Sequence, residues 1–348
     1  MMLYRSKAPF RLGIAGGGTD LSPYADLYGG AILNVTVDLY AHATLRPLNN
    51  GKIRLIHTPG NLVEEMDAVS VLPLDSKLLL QRGVYNSIVK RYNNGQPLSF
   101  ELTTSMDVPT GSGLGTSSTL VVAILGAFCE WLGLPLGEYD LAHYAYEIER
   151  IDLNMAGGRQ DQYAATFGGV NFMEFQQDEK VIVNPLRIRQ EILQEWAFCT
   201  VLFYTELQRN SGAIIEEQQQ NVRNQCADSL EAMHNVKKEA YRMKNCLLRN
   251  ELSELGKALN MSWNSKKKMA HNITNPNIDR IYETAMAHGA LGGKISGAGG
   301  GGFMFFYCPE NTKYAVIQAL NDLKLGMVWN MNFCKQGLTC WVSKTRQV

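Results

Sequence analysis

The sequence predicts a two-domain α+β protein. Its 348 residues, 45% hydrophobic and 19% charged, have an ordinary globular composition and exceed the roughly 100–200 residues of a common single domain. Short β-branched or alternating runs dominate the first half, with helical spacing between them, whereas from Trp196 long helical stretches come first and strands follow. The boundary falls near 190, giving domains 1–190 and 191–348. Three glycine-rich stretches, 16–18, 111–115 and 292–302, punctuate both halves, and the central one organises the chain.

Bulk properties narrow the partners. With 33 basic against 33 acidic residues, net charge offers no pull toward nucleic acid or an anionic membrane. Seven cysteines form no C-x-x-C pair and are odd in number, which fits reduced thiols rather than a disulfide framework or a zinc site. The N-terminus lacks the apolar run of a signal peptide, and no stretch approaches the roughly 20 apolar residues of a membrane span. A cytoplasmic protein, monomer or homodimer, acting on a small molecule is expected.

Leu3 to Ala15 reads as a strand running into the loop Gly16-Gly17-Gly18-Thr19-Asp20. That loop sets a carboxylate and a hydroxyl beside a flexible backbone, suited to a polyol; a tight turn with an Asx cap fits the same residues. Ala31 to Val37, Tyr40 to Arg46 and Lys52 to His57 read as further strands, and Ser76 to Tyr92 has helical spacing. After a strand at Ser99 to Leu102 comes the central stretch, Pro109, Thr110, Gly111, Ser112, Gly113, Leu114, Gly115, Thr116, Ser117, Ser118, opening the apolar run Leu120 to Phe128. Alternate glycines let the backbone approach a ligand, the first amides of a helix face outward, and the hydroxyls cap the helix or ligate Mg²⁺. The segment Thr116 to Leu132 is apolar nearly all round, so its length argues for a buried helix.

Asp140 to Ile151 is a second amphipathic helix, on which Glu147 turns toward solvent and Glu149 falls at the edge of the apolar face. Asp161 follows between two glycine pairs, placed to act as a base or orienter of a hydroxyl or to cap the helix through Thr166. Val170 to Phe175 is a strand. In the second half, a strand from Trp196 through Tyr204 leads to helical stretches 211–249 and 251–263. The run Lys266-Lys267-Lys268 reads as a solvated helix end, and Ile278 to His288 as a helix. The third glycine run joins that helix to the strand Phe303 to Cys308, with close packing on the central loop expected. A helix 312–323 and strands 327–333 and 337–342 complete the second domain.

Ala8-Pro9-Phe10-Arg11 with Gly16 to Asp20, the stretch 109–118, and Lys294 to Gly302 together resemble the three motifs of the GHMP kinases in order, spacing and length. The resemblance implies an N-terminal domain with a left-handed β-α-β crossover, a ferredoxin-like C-terminal domain, and ATP and sugar between them. It implies that 109–118 cradles the nucleotide phosphates and that Ser117 and Glu149 hold Mg²⁺. Asp161 would be catalytic, Arg11 the cation beside the moving phosphoryl group and Asp161, and Asp20, with Gly18, Thr19 and Gly299, would face the substrate. Galactokinases carry Gly-Glu-His-Thr-Asp where this chain has three glycines, so galactose is not the expected acceptor. The sequences at 15–21, 28–34 and 160–163 look most like the branch of heptose 7-phosphate kinases, with fucokinases close by. The branch implies a sugar-phosphate acceptor needing a cationic pocket. Arg159 is the best-placed cation, with Arg5, Lys7, Arg82 and Arg209 behind it. Retention of Arg11, Ser117, Glu149 and Asp161 together argues against a silent ATP or sugar sensor.

Overall fold

Two long strands, β1 (Met2–Ala15) and β2 (Gly30–Pro47), form the spine of the first sheet and pair antiparallel along most of their length. Residues 30–47 make one strand where the sequence reading expects two. The computed structural model describes residues 2–207 and 211–344. Irregularities between Pro9 and Arg11 and between Gly13 and Ala15 break the ladder on either side of Arg11, which pairs with Thr36, as bulges beside functional sites do.

After the short helix α1 (Tyr24–Tyr28), the sheet grows through β3 (Lys52–His57), β4 (Leu62–Asp67), β5 (Phe100–Met106), β6 (Val170–Phe175) and β7 (Val181–Pro185). With β12 (Thr339–Lys344) it has eight strands, in the order β12-β1-β2-β5-β3-β4, with β6 and β7 extending from β2. β3 and β5 pair in parallel, joined through β4 and helix α2 (Leu79–Tyr92).

Helix α3 (Thr116–Leu132) has the bounds its apolar run predicts, and Leu120 to Phe128 are buried throughout. At roughly 1.5–3 kcal/mol per large apolar side chain, this run fixes the helix in the core and the loop at its N-terminus. Helices α4 (Glu138–Glu147) and α5 (Gln160–Phe167) pack around it, joined by a five-residue π-turn, Ile148–Asp152.

Past helix α6 (Gln190–Phe198), where the sequence reading expects a strand from Trp196, the chain enters a second sheet at β8 (Thr200–Tyr204). Helices α7 (Ser211–Arg223), α8 (Ala227–Leu248), α9 (Leu252–Lys266) and α10 (Pro276–Ala287) follow, the expected single stretch 211–249 being two helices. Next come β9 (Gly292–Ile295), β10 (Phe303–Tyr307), helix α11 (Thr312–Asp322) and β11 (Met327–Trp329). The order β11-β8-β10-β9, antiparallel throughout, is the ferredoxin-like order. The last strand departs from expectation: β12 leaves the second domain and pairs with β1, Met2 opposite Lys344 through Lys7 opposite Thr339. Its route is set by close packing, since Gly168 and Gly337 lie backbone to backbone and Leu338 and Cys340 rest on Gly126 of α3.

Candidate active site

All three glycine-rich stretches meet at one cleft between the sheets. In the central loop, Gly111, Gly113 and Gly115 have φ of 73°, 91° and 76°, values a side chain disfavours. These glycines and Thr116, Ser117 and Ser118 line the cleft. Gly115 is the N-cap of α3 and has no side chain to cap it, so the first-turn amides stay available to an anion. Only part of the stretch 109–118 lines the cleft. Leu114 belongs to the core, Pro109 is exposed at the outer turn, and the carbonyl of buried Ser112 accepts from Phe303 N at 2.8 Å. That bond seats the third glycine run on the loop, where a Cβ on Gly302 would overlap the Ser112 carbonyl.

Arg11 ties the parts together. Its Nε donates to Asp161 Oδ1 at 2.7 Å and its Nη2 lies 2.6 Å from the same oxygen. Its Nη1 donates to Gly113 O at 2.7 Å and to Ser296 Oγ at 3.2 Å. Asp161 sits in the first turn of α5, whose N-cap is Arg159, so it does not cap that helix. The carboxylate lies against Gly115, where a Cβ would come 2.9 Å from Asp161 Cγ. Asp161 is therefore held beside the N-terminus of α3 with one oxygen engaged by a guanidinium.

Glu149 is fully buried on the π-turn, which carries it inward, whereas Glu147 pairs with Arg91. Gln162 Nε2 donates to Glu149 Oε2 at 2.5 Å; Oε1 is buried without a hydrogen-bond donor, with Arg150 Nη1 at 3.7 Å. An orphaned carboxylate oxygen, in a cleft that Ser117 also lines, suits a hard cation that takes oxygen ligands. Asp20 is buried, and its Oδ2 accepts from Arg159 N at 2.9 Å and Gln160 N at 3.1 Å. Burial above all, and then the charge of Asp161, push its carboxyl above the usual carboxylate range, against the backbone donors and Arg11.

Other expected substrate residues stand differently. Gly18 lines the cleft, but Thr19 is buried in the turn, its hydroxyl donating to Gly16 O at 2.8 Å and accepting from Ala31 N at 3.1 Å. Gly299 packs against Ile273, leaving Gly297 and Ala298 to line the cleft. Arg159 pairs with Asp26 at 2.9 Å and borders an adjoining recess. Arg82 pairs with Glu64, Lys7 lies over the ring of Tyr40, and Arg5 stands on β1 opposite Trp341 of β12, all away from the cleft. Arg209 lies outside the described residues.

Comparison with known proteins bears on this geometry. The family described as GHMP kinases N terminal domain matches residues 79–169, and GHMP kinases C terminal matches 243–324. A D-glycero-alpha-D-manno-heptose 7-phosphate kinase of Campylobacter jejuni is 47% identical over 98% of this chain and 99% of its own. This chain belongs to the GHMP kinase family. A solved D-glycero-D-manno-heptose 1-phosphate kinase from Bacteroides thetaiotaomicron superposes on this GHMP kinase with TM-score 0.83 at 42% identity, covering 99% of this chain and all of that one. A Lactococcus lactis galactokinase complexed with galactose, at TM-score 0.76 and 19% identity over 97% and 95% of the two chains, shares the fold. The protein is an ATP-dependent sugar kinase, and among its described residues no helix is long and apolar enough to cross a membrane.

In this GHMP kinase the cleft also holds two lysines that the sequence reading does not single out as ligands. Lys266, expected in a solvated helix end, is 2% exposed and lines the cleft, its Nζ donating to Gly297 O at 2.6 Å; Lys267 and Lys268 stay outside. The signal available was helical spacing, since Lys266 is four residues after Ser262 and three after Trp263, both buried on the inner face of α9. Lys294 is 2% exposed and its Nζ donates to Gly13 O at 2.6 Å.

Proposed function

We propose that the enzyme transfers the γ-phosphoryl group of Mg-ATP to the anomeric hydroxyl of D-glycero-D-manno-heptose 7-phosphate, giving the 1,7-bisphosphate for nucleotide-activated heptose synthesis. The observation that carries this reading is the meeting of an Arg11-paired Asp161 with Asp20 in one cleft, in a chain 47% identical to a heptose 7-phosphate kinase. The amides of the glycine loop bind the nucleotide phosphates, and Ser117 and Glu149 hold Mg²⁺, which when bound neutralises phosphate charge. Asp20 accepts hydrogen bonds from the sugar. Asp161 orients the attacking hydroxyl; its oxygen bonds to the γ-phosphorus as the bridge to ADP breaks, and the hydroxyl proton passes to Asp161 or to water. Arg11 stabilises charge on the phosphoryl group in flight.

The relatives' names differ on where the acceptor's phosphate lies, position 7 in one and position 1 in the other. A carboxylate with one oxygen already on Arg11 suits orienting a hydroxyl more than stripping its proton. An anomeric hydroxyl, more acidic than an ordinary alcohol, is the matching acceptor. The test is ADP release with Mg-ATP against D-glycero-D-manno-heptose 7-phosphate, its 1-phosphate, mannose 6-phosphate, L-fucose, galactose and no sugar. Turnover is expected on the 7-phosphate; turnover on L-fucose instead would favour a fucokinase-like activity. Asp161→Asn should lower kcat roughly 10²-fold or more with ATP binding nearly intact; near-normal turnover removes Asp161 from the mechanism.

A further inference from the structure

We propose that Gln160, between the N-cap of α5 and Asp161, is a specificity-determining residue. Its side-chain carbonyl accepts a hydrogen bond from a ring hydroxyl of the acceptor, beside the hydroxyl that Asp20 takes. This deepens the sugar-kinase reading above and rests on its placing of the sugar at Asp20.

The amide of Gln160 has one end occupied and the other open. Its Nε2 lies 3.4 Å from Asp20 Oδ1 and 3.5 Å from Oδ2. Those contacts fix the orientation, since the amide turned the other way would set a carbonyl oxygen against the carboxylate. The other end, Oε1, is buried and, among the described residues, without a donor. A buried acceptor left unpaired is costly, and few buried polar groups go unpaired without a role. Glycine sets the place of that oxygen. A Cβ on Gly13 would come 3.7 Å from Oε1, and Gly13, Gln160, Asp20 and Asp161 line the same cleft. The Gly13 backbone is already engaged, its N donating to Ser296 Oγ at 3.3 Å and its carbonyl accepting from Lys294 Nζ at 2.6 Å. Gln160 is 9% exposed, and its own N donates to Asp20 Oδ2 at 3.1 Å, so backbone and side chain are held by one carboxylate. Arg159 N sits on Oδ2 as well, so Oδ1 keeps capacity for a ligand. Asp20 Oδ1 and Gln160 Oε1 are thus neighbouring acceptors that call for donors. Adjacent hydroxyls of a sugar ring supply both, whereas an ionised phosphate only accepts. The ligand class for this end of the cleft is therefore a vicinal diol on a sugar ring.

The test is steady-state kinetics of the full-length enzyme and its Gln160→Met variant on D-glycero-D-manno-heptose 7-phosphate and its 2-deoxy, 3-deoxy and 4-deoxy analogues. In the parent, the analogue without the partner hydroxyl should lose about 10-fold or more in kcat/KM, because Oε1 again has no donor. In Gln160→Met that penalty should shrink to about 3-fold or less, while the other two analogues keep the penalties they show in the parent. The KM for ATP should hardly move. A parent indifferent to all three analogues, an unchanged pattern in the variant, or an effect confined to the KM of ATP would overturn the assignment. A uniform loss on every sugar overturns it too, since Gln160 would then only hold Asp20. Should Gln160→Met not melt cooperatively, Gln160→Asn, which withdraws the carbonyl by one methylene, makes the same comparison, and an unchanged pattern there is equally decisive against it. If the parent turns over L-fucose or mannose 6-phosphate instead, the heptose reading fails, and the deoxy forms of that sugar decide the role of Gln160. Turnover on no sugar overturns both.

Discussion

At the scale of single residues, Asp20 shows function set against stability. Its carboxylate is buried near Asp161, and its pKa rises above the ordinary value. The folded state therefore binds the proton more tightly than the unfolded chain, so the group favours folding most below its unfolded pKa of about 3.9 and less as pH rises through the folded value. Asp20→Asn keeps an acceptor for Arg159 N and Gln160 N while removing the charge. It should melt above the parent at pH 7, by a margin that shrinks toward pH 4, with acceptor turnover reduced roughly 10²-fold. Thermal unfolding across that pH range decides it, and a variant melting below the parent at pH 7 counts against the account. Glu149, whose π-turn is in place, should behave differently: Ser117→Ala with Glu149→Gln should raise the Mg²⁺ concentration needed for half-maximal rate, and an unchanged metal titration would remove both as ligands. Much of this site was legible from spacing. Helical spacing set Glu149 apart from Glu147, although Glu149 is buried on a π-turn and not on the α-helix expected through Ile151, and alternate glycines marked the loop that lines the cleft. Lys266 was not legible by composition, because three consecutive lysines look solvated until the face of α9 is known. The Arg11–Asp161 pair, 150 positions apart, was legible through the family resemblance and not from spacing.

At the scale of elements, the third glycine run is a backplate for the central glycine loop. Gly302 has φ of 84°, and a Cβ there would overlap the Ser112 carbonyl that accepts from Phe303 N. Gly302→Ala should cost about 1–3 kcal/mol in backbone strain and raise the KM for ATP, because the loop must shift to admit the methyl group. A variant with parent-like melting and ATP affinity would show that the apposition is dispensable. Close packing between these stretches is what the sequence reading expects of a glycine run between a helix and an apolar strand. Elements with strong periodicity or a continuous apolar run, such as α3, β3 and β6, were readable with their bounds. Those that escaped are of two kinds. β4 alternates half-buried and exposed residues and carries Glu64 and Glu65, so its apolar face is weak. α6 buries only Leu193 and Trp196, too few to show a helical period before β8 begins.

At the scale of the whole molecule, the chain closes on itself. The proposed division into 1–190 and 191–348 separates the two sheets but for β12, which returns to the free edge of β1. No local pattern marks that return; 337–342 reads as an ordinary strand, and its partner lies more than 300 positions away. The consequence reaches the candidate site through α3, whose middle supports Leu338 and Cys340 at Gly126 and whose N-terminus carries the central glycine loop. Ending the chain after Gln336 should bare the edge of β1 and the α3 surface under Leu338. Full burial of a leucine is worth roughly 1.5–3 kcal/mol, of which half-buried Leu338 contributes part alongside the lost β1 pairing; at a few degrees per kcal/mol for a domain of this size, melting should fall by about 5 °C. The KM for ATP should rise in the same protein, because loosening the middle of α3 loosens the amides at its start. Melting within about 2 °C of the parent with unchanged ATP affinity would mean that β12 is an addition to the fold. A fall in both would mean that the nucleotide loop depends on a strand contributed from the far end of the chain.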